Sequence, residues 1–169
     1  HILAKSGHFA EISDLLAQLA SRHRSSSPLE VRDAFSAAVS CFGEAGQLEF
    51  MEATIHRMVS DGLTVSAAVA NAYVRCYSVR GSLAEMEEAY GRLKRSRYLI
   101  DKEGIRAVSL AYLRKKKLYR LGEFAREVGL GRNDVGNLLW NLLLLSYAAR
   151  FKMKSLQREF LRTIEPKHT

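Results

Sequence analysis

Apolar positions along this chain recur at helical spacing, in pairs of stripes separated by short polar breaks. Phe35, Ala38, Val39 and Phe42 fall at i, i+3, i+4 and i+7, which predicts a helix with one buried face. Residues 43–47 interrupt that pattern, and Gly46 suits a left-handed C-cap. Leu48, Met51, Ile55 and Met58 make a second stripe, which Asp61 and Gly62 are expected to end. The plan then returns. Val69, Tyr73 and Tyr77 precede Gly81, and Leu83, Met86, Ala89, Tyr90 and Leu93 follow it. Near the end, Trp140, Leu144 and Tyr147 precede Met153, Leu156, Phe160 and Ile164. Residues 4–19 also read as helical. No stretch alternates apolar and polar residues for long, so no sheet is expected.

These pairs recur with one period. Phe42, Tyr77, Tyr112 and Tyr147 stand 35 residues apart, as do Leu48, Leu83, Leu118 and Met153. Gly46 and Gly81 match, while Lys116 and Phe151 replace glycine in the later copies. Leu3, Gly7 and Phe9 belong to a partial copy 39 residues upstream, which places about four extra residues in a loop over 22–28. The expected organisation is one array over 1–169: a partial repeat 1–28, repeats 32–66 and 67–101, a degenerate repeat 102–136 and a terminal repeat 137–169. One hairpin cannot bury both of its apolar faces, whereas stacked hairpins can. The expected fold is therefore all-α, a right-handed α-solenoid of about ten helices in tandem two-helix repeats of 35 residues. Ala37, Ala38, Ala67, Ala68, Ala70 and Ala72 would allow close approach of the first helices, and the recurring aromatics read as core positions.

Composition narrows the partners. Apolar residues make up 47% of the 169 residues, enough for a folded core, and there are only two prolines. The net charge of +8 is uneven: residues 1–66 carry 5 Lys/Arg and 8 Asp/Glu, and residues 67–169 carry 21 and 10. A basic region of this size favours a polyanionic partner, although a merely solvated basic surface gives the same count. Cys41 and Cys76 form neither a zinc pattern nor a disulfide framework. The longest apolar run, Leu142 to Leu145, is far short of a bilayer span. The five histidines have no metal spacing, no phosphate-binding glycine loop is present, and Glu87 and Glu88 read as solvated acids. Neither an enzyme, a cofactor nor a small-molecule substrate is expected. The chain opens abruptly at His1 and residues 4–19 already read as helical, which is expected of a trimmed or mature form whose targeting segment is missing.

A 35-residue two-helix repeat differs from the tetratricopeptide pattern, whose period is 34 and whose Trp-x2-Leu-Gly-x2-Tyr signature is absent. The second copy reads Val69-Ala70-Asn71-Ala72-Tyr73, then Cys76-Tyr77-Ser78-Val79-Arg80-Gly81-Ser82-Leu83. This resembles the pentatricopeptide repeat consensus, as does Leu139-Trp140-Asn141-Leu142-Leu143 in the fourth copy. The resemblance spans about residues 1–165 and implies single-stranded RNA binding in a plant organelle, with the chloroplast favoured over the mitochondrion. Short arrays of this kind resemble the thylakoid-assembly-eight type of group II intron splicing factor. The resemblance further implies that each repeat reads one base through two polar positions. In the second copy these are Asn71 and Asp101, a pair expected to prefer uridine. The first copy offers Ser36 with Ser66, the third Arg106 with Gly136, and the fourth Asn141. Asp33, Ala68 and Glu103 stand where such arrays usually place an aliphatic residue.

Each of these positions has a plainer reading. Asn71 fits an exposed helix face, and Asp101 fits an N-cap. Arg114 matches a phosphate-contacting position of the family, and Lys115, Lys116 and Lys117 continue it into a patch that Arg75, Arg106, Lys152 and Lys154 would extend. Cations at a helix C-terminus are also favoured by the helix dipole alone. The alternative function is a protein-interaction scaffold without an RNA role. The apolar last copy would then be an uncapped end that pairs with another chain, and a homodimer, RNA-induced or not, is an allied expectation. A further alternative is one segment of a longer array or enzyme.

Overall fold

In the computed structural model, residues 8–21, 28–129, 132, 134–138, 140–142, 144, 148, 150–151 and 158 are described. Among them every regular element is helical and none is a strand. The helices are α1 (Phe9–Ser21), α2 (Pro28–Glu44), α3 (Leu48–Ser60), α4 (Ala67–Arg80), α5 (Leu83–Arg95), α6 (Lys102–Arg114) and α7 (Leu118–Gly129). The fold class is all-α. The chain divides into two units, His1–Val108 and Ser109–Thr169, with the boundary inside α6.

Local chemistry sets the helix limits. Pro28 occupies the first position of α2, where its missing N–H and fixed φ cost nothing, so residues 28–31 add a turn to the helix ahead of the 32–66 copy. Ser66 caps α4 by accepting from Val69 N at 3.2 Å. Ser82 and Glu85 form a reciprocal capping box on α5. Asp101 Oδ1 accepts from Gly104 N at 2.7 Å, so the capping role expected of Asp101 is present on α6.

Four helices end through a left-handed residue: Gly46 after α2 (φ 76°), Gly62 after α3 (φ 74°), Arg97 after α5 (φ 64°) and Lys116 after α6 (φ 56°). In each case the next N–H reaches back five residues, as Gln47 does to Phe42 O at 2.8 Å and Lys117 to Tyr112 O at 2.9 Å. Gly81, by contrast, sits in an extended conformation (φ −94°), and Leu83 follows at once under the Ser82 cap.

In the first unit, α2 pairs with α3 and α4 with α5, while α2 also packs on α4. Phe35, Val39 and Phe42 on α2, Met51 and Met58 on α3, Val74 on α4 and Met86 on α5 are all essentially sealed from solvent. Each such side chain contributes roughly 1.5–3 kcal/mol by leaving water. Phe42 stacks on Phe50 with ring centroids 5.4 Å apart, and Phe9 of α1 lies 6.0 Å from Phe42. In the second unit, Leu121, Phe124, Ala125 and Val128 of α7 are buried, and Tyr112 packs 6.1 Å from Phe124.

The recurring aromatics are thus core residues at Phe42, Tyr77 and Tyr112, while Tyr147 lies outside the described residues. The expected role of the alanines needs correction. Ala38 and Ala70 are buried, but Ala37, Ala67 and Ala68 face solvent, because the buried arcs of α2 and α4 run through Val39, Val69 and Val74 instead.

Candidate nucleic-acid interface

Helix α4 and the start of α6 bring three of the expected site residues together within the first unit. Asn71 is 2% exposed. Its Nδ2 donates to Ala67 O and to Leu99 O, both at 3.0 Å, and its Oδ1 accepts from Asp101 N at 2.9 Å. An outward-facing Asn71 amide is therefore a corrected expectation. The segment before α6 carries backbone groups that its own residues leave unpaired, and the Asn71 amide supplies both kinds of partner. The α6 helix adds to the enclosure: a Cβ on Gly104 would stand 3.2 Å from Asn71 Oδ1.

Asp101 faces outward. While its Oδ1 caps α6, its Oδ2 lies 3.8 Å from Arg75 Nη1, and both side chains are partly exposed. The site thus presents one carboxylate and one guanidinium on a base made by Asn71. Arg106, on the exposed side of α6, pairs with Glu103 at 3.3 Å. Ser66 uses its hydroxyl as the α4 cap, and Ser36 is half-buried on α2. Asp33, Ala68 and Glu103 are exposed.

The second unit carries the dense charge. Arg114, Lys115, Lys116 and Lys117 are all exposed where α6 ends. Among the described residues no acid forms an ion pair with Lys115, Lys116 or Lys117. Lys116 holds the left-handed position that Gly46 holds after α2, a conformation that a side chain with a Cβ adopts at a cost of about 1 kcal/mol. Asn141 is exposed, whereas Lys152 and Lys154 lie outside the described residues.

Two features were not anticipated from the sequence. The first is a network joining α3, α4 and α5. Tyr73 and Tyr77 both donate to Glu52 Oε1, Tyr77 at 2.8 Å, and Arg92 Nη1 reaches both Glu52 oxygens at 3.0 and 3.1 Å and Tyr73 Oη at 2.9 Å. Burial, and then the hydrogen bonds to Glu52, push both phenols well above their usual range. The network edges a cleft of about 330 Å³ whose walls include Ile55, Val59, Val65 and Leu93. Its carboxylate, phenols and guanidinium already satisfy one another, so it reads as a clamp between helices rather than a catalytic centre. The second is a contact between Tyr119 and Arg150, whose guanidinium lies over the Tyr119 ring. The only sequence signal for it was an aromatic residue two positions after a lysine run.

Burial pushes the Cys76 thiol above its usual range. No group of His, Cys, Asp and Glu side chains among the described residues is placed to hold a metal ion, and no described helix is long and apolar enough to cross a membrane. Compared with known proteins, the chain matches no family model and no curated sequence.

Proposed function

We propose that this chain binds single-stranded RNA along a short right-handed α-solenoid of 35-residue two-helix repeats, without catalysing a reaction. The observation that carries the reading is the run of exposed lysines, Lys115, Lys116 and Lys117, beyond the end of α6, which form no ion pair among the described residues. Clustered cations without acidic partners are what a phosphate backbone neutralises, releasing counterions as it does so. The repeat reading draws support from the helix starts. Helices α3, α5 and α7 open on Leu48, Leu83 and Leu118, each 35 residues after the last, and α4 and α6 open with the same separation.

In this proposal the phosphates lie against the lysine run. A base meets the outward Asp101 carboxylate and Arg75, while Asn71 holds the segment behind them. Ser36, Ser66, Arg106 and Asn141 are the corresponding positions of the other copies. The resemblance to pentatricopeptide repeats extends the proposal to RNA processing or group II intron splicing in a plant organelle, most naturally the chloroplast.

The test is fluorescence anisotropy of a labelled single-stranded RNA, compared with its duplex, across a salt series. Single-strand binding that weakens with salt is the expected result. No binding at low salt, where attraction is least screened, overturns the proposal.

A second reading, a protein-interaction scaffold or homodimer, is favoured by a different observation. Trp140, Leu144 and Phe151 are each more than 60% exposed at helical residues of the second unit. Large apolar groups left in water at this density often mark a contact surface.

A further inference from the structure

Tyr119 is the second residue of α7, and its side chain is 65% exposed. The core does not require an aromatic there. The second residues of α3 and α5 are Glu49 and Ala84, and both face solvent. Nor is the ring loose. The Arg150 guanidinium lies over it at 5.6 Å from the centroid, within the range of a cation–π contact. Arg150 is itself held, since its Nη2 donates to Leu118 O at 3.3 Å. With the guanidinium over the ring, the residue is still 65% exposed. Lys115, Lys116 and Lys117 precede it in the chain, all exposed, and the exposed Arg120 follows.

An exposed aromatic plane, braced by a cation and preceded in the chain by exposed lysines, has the chemistry of a stacking platform in a single-strand binding groove. Every base has a π-face, so such a platform is tolerant of sequence, while the lysines hold the neighbouring phosphates. We infer that Tyr119, braced by Arg150, stacks one unpaired base of a single-stranded RNA whose phosphates lie against Lys115, Lys116 and Lys117. The inference rests on the RNA-binding proposal above and adds a base contact at a position outside the repeat-reading pairs. Tyr119 supplies the apolar plane. Arg150 covers its back face and limits its rotation, which lowers the entropy lost when a base settles on it.

The test uses the full chain and a single-stranded oligouridylate of about ten nucleotides carrying one 2-aminopurine, whose emission is quenched on stacking. The parent protein and Tyr119→Phe are expected to bind alike and to quench. Tyr119→Leu, which keeps apolar bulk but lacks a ring, is expected to bind about tenfold more weakly and to lose the quenching. Equal affinity and quenching in Tyr119→Leu overturn the inference while leaving RNA binding intact. Failure of the parent protein to bind overturns both. Should Tyr119→Leu not fold, photocrosslinking of the unaltered protein to a 5-iodouridine RNA decides the matter. A crosslinked peptide containing Tyr119 is the expected product, and a crosslink map without it overturns the inference.

Discussion

Asn71 Oδ1 accepts the backbone N–H of Asp101 at 2.9 Å, so a buried amide on α4 fixes the residue that caps α6. The same amide donates to Leu99 O, and together these bonds hold the segment 99–101 from both ends. Asn71→Ala removes all three partners at a buried position and is expected to destabilise the protein by about 2–3 kcal/mol. The midpoint of urea unfolding reads this directly. A midpoint within error of the parent would mean that the segment holds itself.

Lys116 adopts a left-handed backbone, φ 56°, where Gly46 adopts φ 76° after α2. Lys116→Gly is therefore expected to raise stability by about 0.5–1 kcal/mol, because the strain of the Cβ is relieved, less some entropy of the freer unfolded chain. RNA affinity is expected to fall in the same variant. Opposite movements of thermal midpoint and affinity would identify a lysine kept at a strained position for its charge; parallel movements would remove that interpretation.

Replacing all three lysines, as Lys115→Ala, Lys116→Gly and Lys117→Ala, is expected to weaken single-strand binding. It should also flatten the dependence of log K on log salt by about 2, at about 0.7 for each phosphate no longer neutralised. An unchanged slope would show that these cations do not meet phosphate.

The clamp of Glu52, Tyr73, Tyr77 and Arg92 has an alkaline signature. Both phenols have folded pKa values above the unfolded value of about 10, so the folded state holds their protons more tightly. Their contribution is complete below pH about 10 and declines as pH rises further, by up to about 1.4 kcal/mol per pH unit for each phenol. The Cys76 thiol, also raised, acts with the same sign. Urea unfolding across this range should show the decline, and Tyr73→Phe with Tyr77→Phe should be less stable at neutral pH but flatter above pH about 10.

Trp140 is the one tryptophan in the chain and is 66% exposed. Its fluorescence is expected to be that of a solvated indole in dilute protein. A blue shift that grows with protein concentration would place Trp140 in a contact between copies and favour the scaffold reading. Concentration-independent emission would leave Trp140 in water under those conditions and count against the scaffold reading.

Much of the architecture was legible in the amino-acid order because its determinants are local. Gly46, the Asp61-Gly62 end of α3 and the Asp101 cap act on backbone within a few residues of themselves. The buried faces at Phe42, Tyr77 and Tyr112 follow from helical periodicity in the same way. The extra turn of α2 from Pro28 escaped because the break was assigned to the loop before it, whereas proline is a favoured first helical residue.

The candidate site was legible only as a set of residue types. A polar residue at position 71 serves equally as an exposed amide or a buried one, and what decides is the chain 28–30 residues further on, which brings Leu99 O and Asp101 N to it. Glu52 and Arg92, 40 residues apart, read as ordinary surface charges until α3 and α5 set them together. Tyr119 and Arg150 are likewise joined by packing alone.

The sequence by itself determined that the described part of this chain is helical, where most of those helices stop, that the recurring aromatics Phe42, Tyr77 and Tyr112 lie in the core and where positive charge gathers. Those properties depend on periodicity, caps and composition, which act over a turn or two of helix. Tertiary structure alone decided which polar side chains face inward to serve the backbone and which face water with a charge or ring to offer. That choice depends on neighbours supplied by distant segments, whose positions exist only once the helices have packed.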